Sequence, residues 1–457
     1  MPVELTERKL RDAIALLGES ELDGAQAARS ALEWIGWQGE GPLLLRCYDV
    51  QLFLWYVLPR KFLASLDDKR EAAAALARTL EHLGGRAARY AQLCTSAATD
   101  ELLIAWEHDE PAAWRRFRQL LDGSGIEPPD TDLLAWGQVM GFEEARAREL
   151  VATALEEAIE DGRLTLGASA FKRRQAQLVG VALRERADAG DALTVLELVH
   201  RERLERWLQR GHTRGSAERR SALEPIAAIV AAAPPCIEPT AARAAVAPAR
   251  WLLERARDGV ALTQTGALNR ALVREAVERW PDWWPSELFG PPNRERDVAL
   301  LHELHGLLRR LRLLRRSGRQ IVITTRGRKL HGDPSALLST LAVELLAGES
   351  FAAACVELAG ALILGGATVG YSEELATRVH PAIVAEGWRS AGEHPSQRDV
   401  AREIANLLRP AEAVGLVASP PGSTRRTRDN LVLTTAGRAA LTIGLRARAL
   451  QPSSGPY

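Results

Sequence analysis

The residues with most chemistry to offer in this chain are arginines gathered at two places. The first cluster holds Arg315, Arg316, Arg319, Arg326, Arg328 and Lys329, and the second holds Arg425, Arg426 and Arg428. Residues 291–330 carry a net charge of +8 and residues 411–450 a net of +4. A guanidinium is planar, permanently charged and able to donate two parallel hydrogen bonds, which matches the oxygens of a phosphate. Next to the first cluster, Arg309, Arg310 and Arg312 close a long helical stretch, within reach of the same backbone phosphates. Before the second, Gln397, Arg398, Arg402 and Asn406 recur at helical spacing, as exposed candidates for base or phosphate contact. The competing reading is plain: such charges are solvated, or pair with acidic parts of the same chain.

No other constellation points as clearly to chemistry. His302-Glu303-Leu304-His305 places two histidines three apart, whereas a zinc protease helix spaces them four apart, and no third ligand is evident. Gly84-Gly85 and Gly365-Gly366 read as helix stops, and no nucleophile elbow, P-loop or dinucleotide fingerprint occurs. Asp67-Asp68 and Glu156-Glu157 read as surface charge, and Trp280-Pro-Asp-Trp-Trp-Pro285 as a packing plug. The expectation is a protein without catalytic residues, metal or cofactor.

The elements that position the arginines come from an internal repeat. Ile321-Val-Ile-Thr-Thr-Arg-Gly-Arg328 matches Leu431-Val-Leu-Thr-Thr-Ala-Gly-Arg438. An apolar, partly β-branched triplet suits a short strand. Thr324 and Thr434 are placed to cap the helix that follows, and Gly327 and Gly437 fall in its first turn, where a missing side chain allows close packing. Upstream, Leu311–Arg316 and Arg319–Ile323 flank Ser317-Gly318 as a hairpin, preceded by a helix from about Arg294 to Arg310. In the second copy Val414–Ala418 leads through Ser419–Arg428 to Asn430–Leu433, after a helix from Ser396 to Arg409 that Ser396 and Asp399 can cap. A first half is legible in copy one as helix Arg250–Arg257, strand Val260–Thr263 and helix Ala267–Trp280. Phe351–Leu364 and Ser372–His380 are its candidates in copy two. This order is that of two tandem winged-helix modules.

The rest of the chain, 457 residues in all, reads as helical. Helices are expected over Asp67–Leu83, Glu110–Leu121 and Glu143–Asp161, with another capped by Thr131 or Asp132, and basic helices over 171–212 broken at Ala187–Asp191. Leu43–Phe62 is an aromatic-rich run ending near Leu58-Pro59. The tryptophans at 34, 37, 55, 106, 114 and 136 are expected as core or helix-contact residues. Residues 213–223 and Ala231–Thr240, with its double proline, read as linkers. The predicted domains are an acidic helical domain at 1–160 (net −11), a basic helical connector at 161–235 (net +5 over 161–220), and winged-helix modules at 236–348 and 349–457. The fold class is therefore mainly α, with small β-hairpins. Four scattered cysteines, none in a CxxC pair, read as reduced buried thiols. The charged start MPVELTERKLRD lacks an apolar signal region, and Phe351–Val369 is interrupted by Glu357 and glycines, so a cytoplasmic protein without a membrane partner is expected. Only five of its 59 basic residues are lysine, a bias that codon composition alone produces, so arginine abundance by itself excludes nothing.

Residues about 248–342 resemble a module of uncharacterised actinobacterial proteins of the plasmid ORF-three-like type. The matching stretches are Leu262-Thr-Gln-Thr-Gly-Ala-Leu, Asn293-Arg-Glu, Leu311-Arg-Leu-Leu-Arg-Arg-Ser-Gly-Arg, Thr324-Thr-Arg-Gly-Arg and Asp333-Pro. The resemblance implies a winged-helix-like fold in a bacterial cytosol and carries no enzymatic residue. Two functions follow as expectations. One is a transcription-regulatory protein that binds double-stranded DNA, its N-terminal region meeting a protein partner or ligand. The other is a non-enzymatic adaptor that uses the same modules for protein contact.

Overall fold

A computed structural model describes residues 3–20, 22–187, 192–209, 217–367, 372–389, 392–419 and 431–453. Helix accounts for 68% of it, so the architecture is mainly α, with short β pairings. The chain divides into two compact units, residues 1–199 with 452–454, and residues 200–451. Among the described residues no helix is long and apolar enough to cross a membrane.

In the first unit the aromatic run splits by local chemistry. Leu43–Leu45 pairs antiparallel with Val3–Leu5, and Cys47–Leu52 begins a helix that widens to a π turn at Phe53–Val57 before Leu58–Lys61. The helical path thus runs on through Pro59, whose missing N–H leaves the Trp55 carbonyl four residues earlier to another donor. The Trp106 indole N–H donates to the Trp55 carbonyl (3.1 Å), and the Trp55 indole to Thr99 Oγ1 (3.0 Å). Trp37, Trp55 and Trp106 are buried, and Trp34, half exposed on the helix Leu22–Ile35, is a contact residue packing at the rim against Phe62. The Leu66–Leu83 helix starts at a Ser65–Asp68 capping box and stops at Gly84. No helix follows Thr131: its hydroxyl takes the N–H groups of Leu133 and Leu134 (3.3 Å each), and that local turn replaces the expected cap. In the helix Phe142–Glu160, Glu156 is buried rather than a surface charge, accepting from the Tyr90 hydroxyl and the Cys47 N–H.

The second unit is built on one apolar core running from Trp207 to Ala449. Its least expected helix is Ala217–Ala231, which occupies most of the predicted linker at 213–223. Arg219, Leu223, Ile226 and Val230 fall on one stripe of it and all are buried. Its last carbonyls, those of Val230, Ala231 and Ala232, accept from the Arg446 guanidinium (2.7, 2.8 and 2.9 Å). The Pro239–Ala245 helix starts on Glu238, which accepts from two backbone N–H groups, and the Phe351–Leu364 helix is buried continuously from Ala353 onward. Of the four cysteines, Cys94 and Cys355 are buried, and burial pushes each thiol up to about 12. Cys236 is exposed, contrary to expectation, because it follows the two prolines of an extended surface stretch.

Both hairpins form. Val260–Ala261, Gln320–Ile323 and Leu314–Ser317 make a three-stranded antiparallel sheet with Gln320–Ile323 in the centre. Ser317 pairs with Gln320, so the loop is Gly318-Arg319 rather than Ser317-Gly318, with Gly318 at φ 60° as a two-residue turn demands. Val417–Ala418 pairs with Val432–Leu433 in the second copy. The expected loop Ser419–Arg428 lies outside the described residues from 420 onward.

The two copies agree atom by atom. Thr324 Oγ1 accepts from Gly327 N–H (3.0 Å) and donates to the Arg312 carbonyl (2.8 Å). Thr434 Oγ1 accepts from Gly437 N–H (2.8 Å) and donates to the Gly415 carbonyl (2.8 Å). A Cβ on Gly327 would overlap the Leu313 carbonyl, and one on Gly437 the Leu416 carbonyl. These glycines let the helix lie directly on the strand before the turn.

Candidate nucleic-acid interface

The helix Ala299–Arg310 precedes the first hairpin and starts five residues later than the sequence suggested. Residues 294–297 turn tightly instead, with Arg294 N–H held by Asp297 Oδ2 (3.0 Å). That turn points Glu295 inward, to 2.9 Å from His305 Nδ1 and 3.3 Å from His302 Nδ1, while its other oxygen accepts the Leu268 N–H. The two histidines therefore share a face in order to clamp a carboxylate. Among the described residues no group of three or more His, Cys, Asp or Glu side chains is arranged to hold a metal. Burial alone raises the Glu295 pKa, but the hydrogen bond and charge of His305, with the Leu268 N–H and His302, outweigh it and hold the carboxyl below its ordinary 4.5. A depressed carboxyl contributes stability above its unfolded value and loses it as pH falls through the folded value. Glu295→Gln is accordingly expected to flatten the acid limb of stability below pH 4.5, measured as urea midpoint against pH. An unchanged acid limb would remove Glu295 as its source.

The pre-hairpin helix buries Leu300, Leu301, Leu304, Leu307 and Leu308. It closes in a Schellman motif: Leu313 N–H donates to the Leu308 carbonyl and Arg312 N–H to the Arg309 carbonyl (2.9 Å each). The position between them must be left-handed, and Arg312 adopts φ 55°, the one non-glycine with positive φ among the described residues. From there the strands place Arg315 and Val322 as an outward-facing pair, and the Thr324 cap starts the helix Thr325–His331 that carries Arg326 and Arg328.

These elements enclose a groove of about 720 Å³ lined by Arg257, Arg312, Arg315, Arg326 and Arg328, with Val322, Ile323, Thr324 and Thr325 as its floor. Arg257 pairs with Glu254 (3.0 Å). The other four have no carboxylate partner among the described residues; Arg326 touches the Leu311 carbonyl (3.3 Å) and Arg328 the Thr325 hydroxyl (3.4 Å). Of the candidates read from the sequence, the groove gathers Arg312, Arg315, Arg326 and Arg328. Arg309, Arg310, Arg316, Arg319 and Lys329 are exposed outside it, with Arg310 near Glu344 (3.9 Å) and Arg316 folded onto the Gly318 carbonyl (2.9 Å). Arg257 was missed, because it lies 55 residues before Arg312 and is brought near by the pairing of Val260–Ala261 with the central strand and by the Ile323 N–H on the Ala256 carbonyl (2.9 Å).

In the second copy, the helix Gln397–Ala413 starts at the expected Ser396–Asp399 capping box and buries Val400, Ile404, Leu407 and Ala411. Gln397, Arg398, Arg402 and Asn406 are exposed, but Arg402 is tied to Asp399 (2.7 Å) and the Gln397 amide to the Thr377 hydroxyl. Arg425, Arg426 and Arg428 lie outside the described residues.

Residues 243–336, about a fifth of the chain, match the family model described as the Y4jL N-terminal domain. The match encloses all five groove arginines and the first hairpin, and leaves the second copy outside. No curated protein and no solved structure matches the chain.

Proposed function

We propose that this protein binds double-stranded DNA through two tandem winged-helix modules and acts as a transcription regulator, with its N-terminal region meeting a partner or ligand. The observation that carries the reading is the groove: four arginines, without carboxylate partners among the described residues, line it at the foot of a two-stranded wing. In such a module the wing and the end of the preceding helix lie against the phosphate backbone while the helix faces the major groove. Arg309 and Arg310 extend the basic surface along that helix, and Arg398 and Asn406 are exposed on the equivalent helix of the second copy, without a side-chain partner among the described residues.

The test is fluorescence anisotropy of the full chain with a mixed-sequence duplex across a salt series. Log K is expected to fall with log salt at about −0.9 per phosphate contacted. A triple variant with Arg315, Arg326 and Arg328 changed to alanine should make that slope shallower by between 2 and 3, roughly 0.9 for each contact removed. Absence of duplex binding at about 50 mM salt, where counterion release favours association most, overturns the reading.

A second reading, protein contact, has an observation of its own. Leu288 and Phe289 are 63% and 70% exposed beside a cavity of about 980 Å³ lined by Pro281, Trp284, Pro285, Pro291 and Pro292. Apolar side chains this exposed next to a concavity suit an interface. The salt series separates the two, since a surface used for protein alone leaves the duplex unbound.

A further inference from the structure

We infer that the groove of the first hairpin is a seat for a phosphate oxyanion organised by Arg312, and that the second copy of the repeat lacks the equivalent seat among its described residues. The inference rests on the DNA reading only for the source of the phosphate, the backbone of a duplex rather than a free polyphosphate.

One backbone position differs in kind between the two copies. In copy two the helix Gln397–Ala413 ends in the same motif, with Leu416 N–H on the Ala411 carbonyl (2.8 Å) and Gly415 N–H on the Glu412 carbonyl (3.0 Å). The left-handed residue there is Gly415, at φ 72°. Arg312 is its counterpart, since Thr324 and Thr434 bond the two carbonyls alike. Glycine adopts this conformation freely, and any other residue does so at a cost. An arginine there contributes nothing to the turn that glycine would not supply better, so what it adds is its side chain.

The surroundings of the two positions differ accordingly. A Cβ on Gly415 would lie 2.5 Å from the Ala245 carbonyl oxygen and 2.6 Å from the Ala245 Cα, so backbone of the Pro239–Ala245 helix fills that space. At position 312 the same direction opens into the groove, where Arg315, Arg326 and Arg328 also converge. Four like charges lining one concavity raise its positive potential, which favours an anion among them. Phosphate suits them because it presents several oxygens to several forked donors at once.

The experiment uses the full chain with two probes, a mixed-sequence duplex followed by anisotropy over a salt series, and inorganic pyrophosphate followed by thermal unfolding. Arg312→Gly removes the charge and relieves the backbone, so its melting temperature should equal or exceed that of the parent. Its duplex affinity should fall roughly ten- to a hundredfold, as for loss of a charge-assisted hydrogen bond, with the salt slope shallower by about 0.9. Arg312→Lys keeps the charge and the strained backbone, and should retain most of the slope. If the parent binds duplex and Arg312→Gly changes neither affinity nor slope, the seat is overturned while the DNA reading stands. If the parent binds no duplex but pyrophosphate stabilises it and not Arg312→Gly, the DNA reading fails and the seat holds with a free polyphosphate as ligand. If neither probe binds, both fall.

Discussion

Replacing Glu357 by alanine is expected to cost the protein about 3–5 kcal/mol, the range for breaking a buried ion pair from one side. Glu357 is 1% exposed in the middle of the continuous apolar helix Phe351–Leu364. One of its oxygens accepts from the Trp207 indole and from Arg219 Nη2 (2.9 Å), and the other faces Arg448 Nε (3.4 Å). Arg219 is wholly buried; it also donates to Glu386 (2.6 Å) and to the Trp207 carbonyl (2.9 Å). Burial pulls the Arg219 guanidinium down, but Glu357 and Glu386 outweigh it and hold it above its usual value, so it stays charged. Removing Glu357 leaves two buried arginines facing one fewer carboxylate and an indole N–H without its acceptor, and each uncompensated group bears its full desolvation cost. Urea unfolding followed by tryptophan fluorescence measures the loss directly. Glu357→Gln, which keeps the acceptor for the indole and removes only the charge, should fall between alanine and parent. A loss below about 1 kcal/mol for alanine would mean that the network is open to water, which cushions exposed pairs but not buried ones.

That network also marks the limit of what could be read beforehand. Residues 213–223 read as a linker although the helix Ala217–Ala231 begins within them, because its buried stripe opens with Arg219, and an arginine at the head of an apolar stripe reads as a surface residue. Its partners stand 138 and 167 residues away, a separation that no local pattern encodes. Where the determinant was local, the reading reached atomic detail. The Thr-Thr-x-Gly-Arg repeat led directly to two threonine caps and two glycines pressed onto strands, because a cap and a close approach need only neighbouring residues. The groove lies between these cases. Arg315, Arg326 and Arg328 were legible from their density around a hairpin. Arg257 required the sheet order, and the special place of Arg312 required knowing that the residue there must be left-handed. The Thr131 cap failed for a related reason: a threonine hydroxyl serves a turn as readily as a helix, and the sequence around it does not say which.

Gly437→Ala is expected to cost about 3 kcal/mol, the upper end of the range for overpacking, because the added methyl meets backbone and not a side chain that can swing aside. Its Cβ would overlap the Leu416 carbonyl oxygen and lie 2.8 Å from the Leu416 Cα. Leu416 is anchored in turn, since its N–H bonds the Ala411 carbonyl (2.8 Å) and its own carbonyl accepts the Thr434 N–H (3.1 Å). Relief therefore means moving either the helix Thr435–Ala449, which carries Leu441 and Leu445 into the core, or the end of the preceding helix. Gly327→Ala should behave alike in copy one, overlapping the Leu313 carbonyl and approaching Ile323 Cγ1 to 2.8 Å. The control is the same chemical change at Gly306, inside the pre-hairpin helix, where a Cβ meets nothing nearer than the end of Arg310 at 3.7 Å. There the methyl removes backbone freedom from the unfolded chain, and a gain of about 0.5–1 kcal/mol is expected. Denaturant midpoints of the three variants thus separate contact from composition. Opposite signs at 437 and 306 follow if close approach of helix to strand is what the repeat specifies. Equal, small effects at all three would mean that the Thr-Thr-x-Gly-Arg glycines serve no packing role, and the structural match between the copies would then rest on the threonine caps alone.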